Sequence, residues 1–111
     1  MQTRIVELID QSGKVVATAQ VADEGAYYGG TIDLSRTPAS LRALFEEFEE
    51  IVNGQMFAFL DDIQERIGSL SIKAVFDTGH EVYLKDLQVF PSTGDVSFKL
   101  AEVLTRSASL T

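Results

Sequence analysis

The sequence predicts an α+β domain: a mostly antiparallel sheet in the order βββ-α-βββ, with one long helix packed across it. Three observations predict it. β-rich runs separated by turn signals occur three before and three after the middle of the chain, and short turns join antiparallel neighbours. Between them one apolar stripe of helical period runs from Leu41 to Ile67. A helix start signal and a helix stop signal bound that stripe. The 111 residues suit a single domain, expected over residues 1–104. The polar, small-residue end "TRSASLT", residues 105–111, is expected to be a frayed tail.

The first element is a hairpin. In "RIVELIDQSGKVVATAQV" two β-rich runs flank Asp10, Gln11, Ser12 and Gly13, and Gly13 supplies the left-handed residue of a type I turn with a bulge. "ADEG" is a second turn. "AYYGGTIDL" is a third strand, in which Gly29 and Gly30 mark a bulge or the close approach of another backbone.

The helical segment follows. Thr37 is the expected N-cap and Pro38 the first helical residue. Arg66 in the last turn and Gly68 beyond it end the helix. Stepped at 100° per residue, the apolar positions keep phase across Asn53 and Gly54, although this dipeptide is also a common turn. Glu49 and Glu50 would oppose the dipole if a helix ended at Asn53. The expectation is therefore one helix over residues 38–67, about 45 Å long. That exceeds a domain roughly 35 Å across, so the helix overhangs, bends at Gly54, or is covered by something else.

Three more strands complete the sheet. In "SLSIKAVF" Leu70, Ile72, Ala74 and Phe76 share a face; in "VSFKL" Val96, Phe98 and Leu100 do. Ile5, Val6, Leu8 and Ile9, by contrast, are apolar on both faces, as are Val15 and Val16. Such strands belong to a sheet that curls, or to one whose second face meets a partner chain.

The net charge is −8, with the nine basic residues scattered singly, which disfavours nucleic acid and anionic membrane surfaces as partners. No run of about 18 apolar residues offers a membrane span, the start carries no signal-peptide pattern, and there is no cysteine. A cytoplasmic location is expected.

Chemistry has little to stand on. His80, the single histidine, falls in the turn "DTGHE", and no GxSxG, Walker or GxGxxG motif occurs. The helical segment carries seven acids against two arginines, the pattern of a solvated face, and lacks calcium-loop spacing. No catalytic residue, metal or cofactor is assigned. On a continuous helix the face opposite the core stripe holds Ala43, Glu47, Glu50, Gly54, Phe57, Ala58 and Asp61. There Gly54 would admit a second helix and Phe57 would anchor it. The expected function is a non-enzymatic interaction or regulatory module that forms a homodimer through this face. The alternative is a small-molecule-binding or weakly enzymatic domain, with Tyr27, Tyr28, Tyr83 and Phe90 lining a cavity between helix and sheet.

Overall fold

Asp10 organises the first reversal of the chain. Its Oδ1 accepts hydrogen bonds from Ser12 N (2.9 Å), from Ser12 Oγ (2.6 Å) and from Lys14 N (3.0 Å). Gly13 takes φ +86° and donates to the Asp10 carbonyl at 2.9 Å, a conformation open to glycine and costly to other residues. The turn joins β1 (Thr3–Ile9) to β2 (Val15–Asp23). The Ser12 hydroxyl, followed by the Lys14 amide, holds the Asp10 carboxyl below its ordinary pKa. A carboxyl whose pKa falls on folding stabilises the fold above its unfolded pKa, and the effect fades as pH drops through the folded value. The stability margin of wild type over Asp10→Ala is therefore expected to narrow as pH falls through and below the ordinary carboxylate range in urea titrations. A margin constant over that range would remove the charged acceptor from the turn's energetics.

β3 (Tyr28–Asp33) follows, then α1 (Ala39–Asn53), a 3-10 turn (Phe57–Phe59), α2 (Leu60–Gly68), β4 (Lys73–Phe76), β5 (Glu81–Phe90) and β6 (Asp95–Leu100). The computed structural model describes residues 2–101, so the expected tail at residues 105–111 lies outside the described residues.

The six strands form a closed antiparallel barrel in the order β1-β2-β3-β6-β5-β4, each strand bonded to two neighbours. Long-range pairs close it: Val6 opposite Phe76 joins β1 to β4, and Gly30 opposite Val96 joins β3 to β6. This overturns the expected α+β sheet with one long helix packed across it. Val6, Leu8 and Val16 are buried in one core, Ile9 is buried beside a bulge between Leu8 and Ile9, and Ile5 is exposed. Eight strands leave an interior just wide enough for side chains; six leave less, and Ala17, Ala19, Ala74 and Gly30 fill it beside Val21, Val89 and Phe98.

The barrel ends are closed differently. At one end Tyr28 stacks on Phe98 and meets Phe76 edge-on, each with centroids 5.8 Å apart, and Arg4 lies 4.6 Å over the Phe76 ring while pairing with Asp77 at 3.0 Å. At the other end the helical segment leaves β3 and returns to β4. Leu41, Phe45, Phe48 and Ile51 of α1 and Ile63 and Ile67 of α2 join the barrel core, and Phe48 meets Phe90 at 5.6 Å. Thr37 does not cap α1. Its hydroxyl donates to the Val16 carbonyl at 2.6 Å, pinning the helix start to β2, and Pro38 takes the N-cap position.

The helix expected over residues 38–67 is broken where the sequence argument made it continuous. α1 ends in a Schellman motif: Met56 N donates to Ile51 O (2.9 Å) and Gln55 N to Val52 O (3.1 Å). Gly54 is right-handed at φ −84°, and Gln55 takes the left-handed position at φ +57°. Phase was preserved for another reason than continuity. Both helices cover one barrel end and so carry apolar faces toward one core, while Met56 and Phe59, which extended the stripe, are exposed. Glu49 tolerates the last turn of α1 because its carboxylate accepts from Ser92 N (3.1 Å) and from Ser92 Oγ in the β5–β6 turn. That tertiary contact outweighs an unfavourable dipole of about 0.3–1 kcal/mol.

A left-handed backbone costs a non-glycine residue about 1 kcal/mol or more, partly offset by the greater freedom glycine gives the unfolded chain. Gln55→Gly is thus expected to stabilise the protein by about 0.5–1 kcal/mol and to raise Tm by roughly 3–5 °C. An unchanged or lower Tm would place no strain at this position.

Candidate interaction site

α1 and α2 form a hairpin, and its tip is the reason for attention. Arg66 holds the two arms together: it pairs with Glu47 on α1 at 2.6 Å and with Asp62 on its own helix at 3.3 Å, and the Glu47 hydrogen bond raises its pKa. Between the arms residues 54–59 reverse direction without burying their side chains. Met56 is 39% exposed, Phe57 61% and Phe59 59%. Single exposed apolar residues are ordinary; three in four positions form a patch. Glu50, Asp61 and Asp62 are exposed on the adjoining turns of α1 and α2.

The face expected from the sequence is dispersed by the break. Ala43 and Glu50 are exposed on α1, and half-buried Glu47 is engaged by Arg66. Gly54 is the C-cap of α1, Phe57 and Ala58 belong to the 3-10 turn, and Asp61 opens α2. Of that set, the structure gathers Gly54, Phe57 and Ala58 at the tip. Met56 and Phe59 join them and were missed, because helical stepping placed them on the buried stripe. The run "QMFAF" directly after a turn dipeptide was the available signal.

The four aromatic residues proposed to line a cavity do not meet. Tyr28 is half-buried among Phe76 and Phe98, and Phe90 packs on Phe48. Tyr83 is 54% exposed, with Lys73 Nζ 5.2 Å from its ring centre. Tyr27 lies on the outer surface over Gly29. The apolar hollow sits elsewhere, at the open end of the helical hairpin. Val16, Pro38, Leu41, Leu44, Leu70 and Ile72 line about 570 Å³, with the turn at residues 10–12 at its mouth. Gln11 Nε2 donates to Ser69 O at 3.3 Å across that mouth.

Titratable groups do not converge. His80 is exposed in the β4–β5 turn, where its carbonyl accepts from Phe76 N. Glu46, Glu47, Glu49 and Glu50 share a cleft with Ser92 on the outside of α1, but Glu47 and Glu49 serve Arg66 and the β5–β6 turn. Among the described residues, no group of three or more His, Cys, Asp or Glu is placed to hold a metal ion, and no helix is long and apolar enough to cross a membrane. Compared with known protein families, curated proteins and solved structures, the chain matches none of them.

Proposed function

We propose that the protein is a cytoplasmic, non-enzymatic interaction module that self-associates through the tip of its helical hairpin. The observation that carries this reading is the exposure of Met56, Phe57 and Phe59 on one reversal. Aromatic side chains presented this way are the typical anchors of protein interfaces, and truncating such an anchor commonly costs about 2 kcal/mol or more of binding. The double variant Phe57→Ser/Phe59→Ser removes side chains that the core does not use, so its fold is retained within about 0.5 kcal/mol. By sedimentation equilibrium, wild type is expected to dimerise and the double variant to dimerise at least about 30-fold more weakly. A wild type that stays monomeric to millimolar concentration overturns the reading.

A second reading, small-molecule binding, is supported by the apolar hollow, whose volume of about 570 Å³ falls within the usual range for ligand sites. Thermal-shift screening against amphipathic metabolites tests it. A ligand at a hundredfold excess over its Kd stabilises by about 2.7 kcal/mol.

A further inference from the structure

We infer that Asn53 is a site of spontaneous covalent modification: it loses ammonia through a cyclic imide with Gly54, and the products unlock the cap that sets the hairpin tip. Asn53 is the only asparagine of the chain, and glycine follows it. Both residues are exposed, Asn53 as the last residue of α1 and Gly54 as its C-cap. Asparagine is among the thermolabile residues, and a following glycine leaves no Cβ to crowd the attacking nitrogen. Hydroxide takes the Gly54 amide proton, and the nitrogen attacks Asn53 Cγ. The new C–N bond closes a five-membered imide, and the side-chain nitrogen takes up a proton and leaves as ammonia. Water then opens the ring. Breaking the bond to Cγ gives aspartate. Breaking the bond to the backbone carbonyl carbon gives isoaspartate, in which the main chain runs through the former side chain. Water is the only co-reactant.

The structure sets both the rate and the consequence. Gly54 N donates to Glu50 O at 2.9 Å, so the ring closes only when that bond opens. At an exposed helix end opening is frequent, and one hydrogen bond slows the reaction by about tenfold at most. Two further cap bonds, Gln55 N to Val52 O at 3.1 Å and Met56 N to Ile51 O at 2.9 Å, span the same Asn53–Gly54 link. Isoaspartate adds one methylene carbon to that link and lengthens all three hydrogen-bonded rings together. The cap also sustains Gln55 at its left-handed φ of +57°. Aspartate keeps the backbone but sets a carboxylate at the negative end of α1, three and four residues beyond Glu50 and Glu49, in the cleft those residues share with Asn53. Both products loosen the reversal that presents Met56, Phe57 and Phe59, and isoaspartate loosens it more.

The test holds folded wild type, Asn53→Gln and Gly54→Ala for weeks in mildly alkaline buffer at physiological temperature, beside wild type unfolded in guanidinium chloride. Gly54 is right-handed at φ −84°, a conformation alanine adopts freely. Cleavage after Arg42 and Arg66 isolates residues 43–66, which carry Asn53. Exchange of NH2 for OH raises the mass of this fragment, and its two products of equal mass separate by chromatography. Folded wild type is expected to react within about tenfold of the unfolded chain, Gly54→Ala at least about tenfold more slowly than wild type, and Asn53→Gln not measurably. A folded wild type that keeps its mass overturns the site, and so do equal rates for wild type and Gly54→Ala. The purified isoaspartate form is expected to melt roughly 4 °C or more below fresh protein; an unchanged Tm overturns the unlocking of the cap. That form is also expected to dimerise at least about fivefold more weakly in sedimentation equilibrium, the one outcome that rests on the self-association proposed above. A dimer equally tight after modification overturns the link between cap and tip. A fresh wild type that stays monomeric overturns the self-association and leaves the mass and Tm results to stand by themselves.

Discussion

Gly30→Ala is expected to lower stability by about 3 kcal/mol or more, moving the urea midpoint down by roughly 1–2 M. A Cβ at this position would stand 1.9 Å from the Gln20 carbonyl oxygen and 2.9 Å from both the Gln20 carbonyl carbon and the Val21 Cα. All three atoms belong to the backbone of β2, so no change of rotamer relieves the contact. Gly30 also has a strand on both sides, standing opposite Val21 in β2 and Val96 in β6. Moving β3 away from β2 therefore disturbs the β3–β6 seam as well. Its neighbour is the control. A Cβ at Gly29 would meet only the Tyr27 ring at 3.1 Å and the Glu24 side chain at 3.7 Å. Both are side chains at the surface, and Gly29→Ala is expected to cost less than about 1 kcal/mol. Equal midpoints for the two variants would show that β2 yields at Gly30 and that close approach does not hold the barrel shut.

Phe48→Ala is expected to cost about 3–5 kcal/mol. Phe48 is 1% exposed and among the largest fully buried side chains. It stands where α1 crosses the barrel end, with its ring edge-on to Phe90 of β5 at 5.6 Å. The loss combines the transfer energy of a phenyl ring, the void left between two rigid elements, and an aromatic pair worth about 0.5–1.5 kcal/mol. A chain of this size has a total stability of roughly 5–15 kcal/mol, so the variant sits near the threshold of folding. Phe48→Leu, which keeps most of the volume, should recover more than half of the loss. Guanidinium unfolding of both variants checks the pair. A loss below about 1.5 kcal/mol for alanine would mean that α1 is not part of the cooperative core.

What the sequence made legible was local. The turn at residues 10–13 could be read because Asp10, Ser12 and Gly13 act on backbone groups within four residues of themselves. The inward set Ile72, Ala74 and Phe76, and Val96 with Phe98, could be read because strand alternation is local too. Closure could not. The pairing of Val6 with Phe76 depends on no residue near either of them, and an open curled sheet would show the same alternation. The long helix failed through a specific confusion. Periodicity reports which residues are apolar, and Met56 and Phe59 are apolar without being buried. Thr37 failed differently, because its hydroxyl had a tertiary acceptor, Val16 O, that outcompeted the helix end. At the candidate site the same confusion hid two of the three apolar side chains; Phe57 alone was legible, because it fell off the stripe.

Closure has a consequence in time as well as in space. β1 and β3 each find one neighbour in β2, close by in the chain, and wait for β4 and β6 to supply the other. Those partners lie beyond the whole helical hairpin, so the seams close against the entropy of a long loop, and such topologies fold in milliseconds to seconds. A chain emerging from the ribosome holds β1, β2 and β3 as an open meander until β6 is made. During that interval the free edges of β1 and β3 are templates for any other strand. The finished barrel offers no such edge, so the hazard of strand exchange belongs to synthesis and vanishes with the last hydrogen bond of the seam.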